Sequence, residues 1–406
     1  MAFILGIFLF ALGIAATIAL HEAGHMVSAR AFGMRVRRFY VGFGPSVLSF
    51  TKGHTRYGLA ALPLGGFCDI AGLTAMDEMT EEEKPHAMYS KPAWQRIAVL
   101  AAGPFVNIVL GLLILFFVAA SAGLPDPHAD VRAKVGEVTC SADQKAPTQA
   151  DAPAELEDCT GHGAGGEAGV VAGDIITGLN GEQLDNFMQF RDEVQDRPGE
   201  TVTLDIERDG QQLQLDVELD SVVRYDADGQ PQTVGSVGLT NAPLDVHREY
   251  NVIEAIPASL DYSWYMLKAT VDGIIAFPSK IPAVAASIFG AEREQDGPMS
   301  VVGASRAGGE LVERELWPMF WMMLATLNFF LALFNMIPLP PFDGGHIAVV
   351  LWEKLRNLVR RLRGQEPGGP ANYEKLLPLT YGMAALLLTV GVIVIIADLV
   401  NPIMLF

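Results

Sequence analysis

Four long runs of this 406-residue chain carry no Asp, Glu, Lys or Arg, and they constrain its fold more than any other feature. Each is near or above the length of about 20 apolar residues with which an α-helix crosses a bilayer. Half of all residues are hydrophobic, as expected for a membrane protein that also has a soluble part. We therefore predict a polytopic α-helical membrane protein with four transmembrane helices, at Ala2 to Leu20, Ile97 to Gly123, Leu316 to Phe342 and Leu376 to Ala397.

A pair of histidines at the end of the first run predicts a metal site. His21, Glu22 and His25 stand as His-Glu-Ala-Gly-His. On a helix, residues four apart share one face roughly 6 Å apart along the axis, so both imidazoles can reach one metal ion. Glutamate next to the first histidine is typical of zinc hydrolases, where it accepts a proton from water. A chance match is the alternative, but ionisable groups inside a bilayer are costly and usually functional.

The first run is also compatible in length with a signal peptide. Its start lacks the basic residues of such a signal, and cleavage would discard or expose the histidine motif. We therefore expect the run to be retained as a transmembrane helix.

Basic residues beside the runs predict the orientation of the chain. Clusters of them follow the first run and separate the third run from the fourth. By the positive-inside rule both segments are cytoplasmic, so both termini and the segment between the second and third runs are expected outside. The residues concerned are Arg30, Arg35, Arg37, Arg38, Lys354, Arg356, Arg360, Arg361 and Arg363.

The extracytoplasmic segment, residues 124–250, is strongly acidic. It contains 26 acidic and 8 basic side chains, which supply nearly all of the net charge of −19. This charge argues against nucleic acid as a partner and is most simply a solvated surface. Cys140 and Cys159 lie in this segment, where an oxidising environment permits a disulfide. Cys68 lies on the reducing side and is expected to be a small buried residue.

Residues 161–220 of this segment have the pattern of a small α/β domain. Asp209-Gly210 is a strong hairpin turn between two alternating stretches. The predicted elements are a turn, strand and turn at Gly169 to Gly181, a helix at Asp185 to Asp196, and strands at Thr201 to Glu207 and Gln212 to Leu219. The pattern resembles a PDZ domain, a fold that binds extended peptides by strand addition. A spacer that only blocks access is the alternative.

Between the first two runs, Tyr57 to Ile70 is too apolar for an ordinary loop and too short to cross a bilayer. Its proline and paired glycines exclude a regular helix. We predict a membrane-inserted β-hairpin there, with a surface loop as the alternative. Just before it, Gly42 to Pro45 is predicted to be a turn or a re-entrant segment.

Residues 251–315 are predicted to be an amphipathic, interfacial segment. Asn251 to Gly290 is half apolar but is interrupted by charged side chains, which favours a helix along the interface over a fifth span. Gly297 to Gly303 is read as a turn near the membrane. The membrane core is thus divided between residues 1–123 and 316–406.

The third run breaks at a proline-rich stretch that contains one aspartate. Asn335 to His346 holds three prolines and two glycines around Asp343, so the helix must end there. Catalytic zinc commonly has three protein ligands, and Asp343 completes the set begun by the two histidines. His346 is a rival ligand, but we favour a structural role for it because it lies three residues further on.

Taken together, these motifs resemble the site-2 protease family of intramembrane metalloproteases. They are His-Glu-x-x-His, Gly103-Pro104-x-x-Asn107 and Asn335-x-x-Pro-x-Pro-x-x-Asp343-Gly-Gly, with a single inserted PDZ-like domain. The resemblance covers nearly the whole chain and implies an endopeptidase of the bacterial cytoplasmic membrane. Phe342 departs from it, because the family usually has leucine before the aspartate.

The resemblance implies a role for each residue of the site. One Zn²⁺ is bound by His21, His25 and Asp343, and Glu22 is the general base. Asn335 contacts the substrate, whereas Asn107 either does so or joins two helices by a hydrogen bond. The hairpin receives the substrate as an added strand, through residues that include Gly58, Leu62, Leu64, Gly65, Gly66 and Phe67.

The implied substrates are transmembrane proteins. Bacterial members of the family cut anti-sigma factors or signal-peptide remnants after another protease has removed the external part. Two other classes remain open, a metal transporter and a catalytically inactive PDZ scaffold. A transporter needs further ligands along a path, and a scaffold has no use for Glu22.

Overall fold

The computed structural model describes residues 1–74, 76–146, 155–226, 229–244, 246–295, 297–366 and 368–405, with backbone alone at 62–64. The chain forms two compact units, described separately below. The first comprises Met1–Leu124 and Glu249–Phe406, and the second comprises Pro125–Arg248. The boundaries of the second unit agree closely with the acidic segment defined from the sequence.

Helices dominate the first unit. In the described chain the α-helices are, in order, α1 Ala2–Ala31, α2 Ala93–Ala122, α3 Ala164–Glu167, α4 Phe187–Gln195, α5 Ala255–Ser287, α6 Val301–Glu313, α7 Trp317–Asn335, α8 Asp343–Leu362 and α9 Leu377–Val400. Helices α1, α2, α7 and α9 are long and apolar enough to cross a membrane, which confirms the predicted four helices in length and composition. The protein is therefore a multi-pass membrane protein.

Two helices of the first unit were not predicted. Helix α6 begins at Val301, within the predicted turn, and Ser300 caps it by accepting hydrogen bonds from the backbone N–H groups of Val302 and Gly303. Helix α8 follows the proline-rich stretch and buries Ile347 and Val350 against Val99. Both were missed because their apolar residues form one face instead of a continuous run.

Helix α7 ends at Asn335, so the third span is shorter than the run that extends to Phe342. The prolines that follow cannot continue a helix, as the sequence predicted. Helix α5 is 33 residues long and packs Tyr262 against Leu115 and Phe329. Whether α5 lies along the membrane interface stays a prediction.

Glycines hold α6 close to α1. A Cβ atom on Gly6 would lie 2.7 Å from the carbonyl oxygen of Gly308, and one on Gly308 would lie 2.7 Å from Cβ of Phe10. Small residues allow such close approach of helices inside a membrane. This contact fixes the first half of α1, the helix that carries the histidine motif.

Strands β1 (Val36–Lys52) and β2 (Thr55–Ile70) form the hairpin between the first two spans. Residues 38–41 are paired twice, with 66–69 on one side and with 56–59 on the other. The second half of β1 pairs with 55–60, so residues 66–70 form an edge of this small sheet. Insertion of the hairpin into the membrane stays a prediction.

The prediction that Gly42 to Pro45 forms a turn is confirmed by the pairing of the two halves of β1. These residues lie inside β1, where Gly42 and Gly44 adopt φ values of 91° and 87°. Residues 38–41 run in the same direction as 56–59, whereas residues 46–52 run opposite to 55–60, so the chain reverses direction between the two halves. Glycine tolerates the positive φ values of this reversal.

The second unit contains most of the remaining strands. The further strands of the described chain are β3 Leu124–Pro125, β4 Ala133–Val138, β5 Ile175–Leu179, β6 Glu182–Gln183, β7 Thr201–Arg208, β8 Gln211–Glu218, β9 Asp220–Tyr225, β10 Pro231–Ser236, β11 Leu239–Asn241 and β12 His247–Arg248. The main sheet has the order β11-β4-β5-β7-β8, with β6 beside β5. The strand predicted within Gly169 to Gly181 is β5, and the helix predicted at Asp185 to Asp196 is α4. The two strands predicted around the Asp209-Gly210 turn are β7 and β8. Phe190, Leu204 and Ile206 form the centre of its core.

Cys140 and Cys159 are joined by a disulfide in this unit, with their Cα atoms 6.0 Å apart. Asp209 and Gly210 form the β7–β8 turn with φ values of 52° and 77°. Asp174 is buried and binds the guanidinium of Arg208 at 2.7 Å, which ties the turn before β5 to the end of β7. This fold is compatible with the PDZ-like prediction, which is taken up under Proposed function.

Candidate active site

Three side chains converge in the interior of the membrane unit. His21 and His25 lie on α1, and Asp343 is the first residue of α8, more than 300 positions away. The two Nε2 atoms lie 3.2 Å apart, and each lies 3.4 Å from Oδ2 of Asp343. Both histidines are 7 % exposed. The structure therefore brings together the three predicted ligands, with their donor atoms within 4.8 Å of one another.

The ring of His25 is oriented by α2. Its Nδ1 atom lies 2.8 Å from the backbone carbonyl oxygen of Val99. Because a carbonyl oxygen only accepts, Nδ1 carries the proton and donates it. The lone pair of Nε2 is then free to face His21 and Asp343. Such a contact is typical of metal-ligating histidines, in which it fixes the tautomer.

Space beside the two imidazoles is created by Gly103 on α2. A Cβ atom there would lie 2.3 Å from Nε2 of His25 and 2.6 Å from Nε2 of His21. Any other side chain would therefore occupy the volume in front of both donor atoms. Two imidazole nitrogens and one carboxylate oxygen form a donor set that suits zinc, so the residues fit this metal.

Asp343 is positioned by the tight turn between α7 and α8. A Cβ atom on Gly344 would lie 2.3 Å from the carbonyl oxygen of Met336, and one on Gly345 would lie 2.5 Å from the carbonyl carbon of Leu339. Only glycine allows the backbone to pack so closely at both positions. The two glycines that follow the aspartate thus bring the start of α8 back onto the end of α7.

Glu22 lies between the histidines and the edge of the hairpin. A Cβ atom on Gly66 would lie 3.2 Å from Cγ of Glu22 and 3.1 Å from Cγ2 of Ile18. The backbone N–H of Cys68 faces the Glu22 carboxylate. The edge strand of residues 66–70 therefore rests directly on α1 at the glutamate.

The other hairpin residues predicted to bind substrate have different surroundings. Gly58 lies under the ring of Tyr40, and Gly65 lies under the ring of Phe43. Phe67 stacks with these two rings at centroid distances of 5.4 Å and 6.1 Å. The side chains of Leu62 and Leu64 lie outside the described part of the structure.

The two predicted asparagines differ in their hydrogen bonding. Asn335 donates from Nδ2 to the carbonyl oxygen of Leu331, one turn earlier in α7, at 2.9 Å. Asn107 is fully buried, and neither Oδ1 nor Nδ2 has a hydrogen-bond partner among the described residues. It lies one helical turn from Gly103. An unpaired buried amide is costly, which marks Asn107 as a group able to bind a ligand.

Several site residues were missed from the sequence. Asn328 is fully buried in α7 and donates to Oγ1 of Thr17 at 3.2 Å, one turn before His21. Asn328 could have been found from the sequence, because it is a lone asparagine in an apolar run. Val99 gave no signal, because it acts through its backbone. His346 stacks on Tyr373 at 6.0 Å and is not part of the three-residue group.

Comparison with known proteins gives concordant results. The sequence pattern of peptidase family M50 matches residues 9–368. The chain is 43 % identical over 412 residues to the zinc metalloprotease Rip1 of Mycolicibacterium smegmatis, and the alignment covers 100 % of both proteins. It is 42 % identical over 411 residues to Rip1 of Mycobacterium tuberculosis H37Rv, again over 100 % of both. A putative zinc metalloprotease of Brucella suis is 28 % identical over 369 residues, covering 86 % of this chain and 85 % of that protein.

Proposed function

The chain belongs to peptidase family M50, and from this membership we propose that His21, His25 and Asp343 hold the zinc ion of an intramembrane protease and that Glu22 is its general base. The protein is a zinc-dependent metalloprotease with membrane-spanning helices. The observation that supports the assignment of residues is the convergence of three donor atoms within 4.8 Å.

When bound, zinc polarises the peptide carbonyl and acidifies water. Glu22 accepts a proton from the attacking water while the oxygen of that water forms a bond to the carbonyl carbon. It then passes that proton to the amide nitrogen as the carbon–nitrogen bond breaks. One water is consumed, and Glu22 returns to its starting form. The neighbouring strand at Gly66 and Cys68 limits the orientations that the Glu22 side chain can adopt.

Asn107 is proposed to hold the substrate near the scissile bond. Its amide is buried, lacks partners among the described residues and lies one turn from Gly103. A donor at this position can bind a carbonyl oxygen whose negative charge grows during the reaction. Asn335 is proposed to contact the substrate as well, after giving up its bond to Leu331.

The hairpin is proposed to enter the membrane and to receive the substrate as an added strand. Phe43, Leu48 and Phe50 are 45 %, 68 % and 64 % exposed, so this surface suits lipid more than water. A helical substrate hides its scissile carbonyl in its own hydrogen bonds and must unwind before attack. Unpaired backbone groups at the edge strand of residues 66–70 can replace those hydrogen bonds.

The unit of residues 125–248 is proposed to be an extracytoplasmic PDZ-like domain that selects or restricts substrates. Its sheet, its helix α4 and its acidic surface support this assignment. The proposed orientation places both termini outside the cytoplasm. Membrane-anchored anti-sigma factors, trimmed first by another protease, are the proposed substrates.

Glu22→Gln in the full-length protein tests the proposed function. We expect this variant to keep about one zinc per chain but to leave a membrane-anchored reporter substrate uncut. Glu78→Gln, at an exposed glutamate, is the matched control and should cleave normally. Normal cleavage by Glu22→Gln would contradict the role of the base. Failure of the wild-type protein to cleave the reporter would instead favour a transporter or a scaffold.

The same variant can identify substrates. Membrane proteins that accumulate in complex with Glu22→Gln, and not with Glu78→Gln, are candidates for uncut substrate. Release of an anti-sigma fragment in cells that contain only the inactive enzyme would contradict that substrate assignment.

A further inference from the structure

A cavity of about 530 Å³ lies where α1 ends, outside the candidate active site. It is enclosed by the end of that helix, the start of β1 and the β1–β2 turn. No aspartate or glutamate is among its lining residues. The basic side chains that line it are Arg30, Arg35, Lys52, His54 and His86. In a chain of net charge −19, a cavity whose charged lining residues are two arginines and one lysine indicates an anionic ligand.

The cavity lies at the end of a candidate membrane span, the position at which lipid headgroups are expected. Arg30 is in the last turn of α1, which is a candidate membrane span. Phe32 and Trp94 pack edge to face beside this helix end at 5.2 Å, and Trp94 is 60 % exposed. Exposed tryptophan next to a helix end is typical of the membrane interface. Phosphate is the anionic group that is abundant at this depth.

The guanidinium of Arg30 is held in place by two hydroxyl groups, and no neighbouring carboxylate neutralises its positive charge. Its Nη2 atom donates to Oγ1 of Thr55 at 2.9 Å and to the hydroxyl of Tyr57 at 2.6 Å. Both acceptors are neutral. Among the described residues, no carboxylate oxygen lies within 4.0 Å of Arg30.

Arg35 is only weakly paired. Its Nη1 atom lies 3.8 Å from Oε2 of Glu82, whose side chain is 84 % exposed. A pair at this distance with a solvent-exposed glutamate contributes little, and Arg35 can turn to a stronger acceptor. The cavity thus combines two guanidinium groups, one ammonium group and the hydroxyl of Tyr57. The buried hydroxyl of Thr55 already donates to the carbonyl oxygen of Val36 at 2.6 Å and serves only to hold Arg30.

We propose that this cavity binds a phosphate group. Guanidinium groups recognise phosphate through paired N–H donors, and lysine adds a compact positive charge. Two sources supply this chemistry, the headgroup of an anionic phospholipid in the adjacent leaflet and a soluble phosphate. The bound group would lie between α1 and the β1–β2 turn and would link the helix that carries the histidine motif to the hairpin.

The test compares two double variants of the full-length, zinc-containing protein in detergent. Arg30→Gln/Lys52→Gln removes two positive charges from the cavity. Arg363→Gln/Lys375→Gln removes two exposed charges from outside its lining and is the matched control. Phosphatidylglycerol is titrated and the bound lipid is counted by native mass spectrometry, with phosphatidylcholine as the neutral comparison.

We expect the cavity variant to bind phosphatidylglycerol at least about tenfold more weakly than the wild type and the control, since two charge-assisted contacts are lost. If inorganic phosphate at millimolar concentration displaces the lipid, the site is assigned to soluble phosphate. If inorganic phosphate does not compete, the site is assigned to the lipid headgroup. Equal binding by all three proteins, or equal binding of phosphatidylcholine, would overturn the proposal. The single variant Lys52→Gln changes only an exposed residue at the end of β1 and should lose part of the phosphatidylglycerol binding. This partial loss would exclude misfolding as the cause.

Discussion

Gly103 stands directly against the Nε2 atom of His25, where a Cβ atom would lie 2.3 Å from that nitrogen. The glycine on α2 therefore controls the space in front of the imidazoles on α1. Three helices thus meet at the candidate metal centre, because α1 carries the histidines, α2 carries Gly103 and α8 begins with Asp343.

Gly103→Ala should impair zinc binding while the helices remain folded. The added methyl group would collide with both imidazoles and force them apart. We expect the zinc content to fall well below one per chain, as measured by elemental analysis of purified protein. Gly391→Ala is the control, because a Cβ atom there would meet no atom within 4 Å. Full zinc content in Gly103→Ala would contradict the placement of the metal.

Gly66→Ala should lower the rate of cleavage without loss of zinc. The methyl group would press on Glu22 and Ile18 and push the edge strand away from α1. Small displacements of catalytic groups cost up to roughly a hundredfold in rate, and we expect a loss of about tenfold or more. Zinc content and reporter cleavage are measured in parallel, with Gly273→Ala as the control at an open position. A parallel loss of zinc would show that the strand supports the metal centre instead of the base.

Arg96→Met should destabilise the membrane unit. Arg96 on α2 donates to Glu353 on α8 at 2.5 Å, and their side chains are 7 % and 9 % exposed. The variant leaves a buried carboxylate without its partner, which typically costs about 3–5 kcal/mol. Thermal unfolding in detergent should therefore occur at a lower temperature.

The double variant Arg96→Met/Glu353→Met tests whether the pair itself is responsible. It removes both charges and should recover much of the lost stability. If the single and double variants unfold at the same temperature, the ion pair does not explain the effect.

The segment that follows the hairpin should loosen at acidic pH. Hydrogen bonds from Arg37 lower the pKa of Glu83 from 4.5 to about 2. A lowered pKa means that this interaction stabilises the fold fully above the unfolded value of 4.5 and is lost as pH falls toward about 2. Hydrogen exchange in residues 71–91 should rise between pH 5 and pH 3 relative to the helices. Glu83→Gln should exchange faster already at pH 7, and identical exchange in both proteins would contradict the prediction.

Local sequence was enough to predict which three side chains converge in the membrane unit. Two histidines four residues apart, a glutamate between them and an aspartate after three prolines are patterns that a short stretch of chain contains in full. Ionisable groups in apolar runs are rare because of their cost, so each could be singled out as a candidate without knowledge of its neighbours. The same reasoning identified the four apolar helices and the β7–β8 hairpin.

Contacts between distant segments were decided by the tertiary structure alone. The carbonyl of Val99, the space at Gly103 and the approach of Gly66 to Glu22 all depend on which helix or strand packs beside α1. The chain therefore encodes locally which groups can do chemistry, whereas long-range packing decides their distances, tautomers and access.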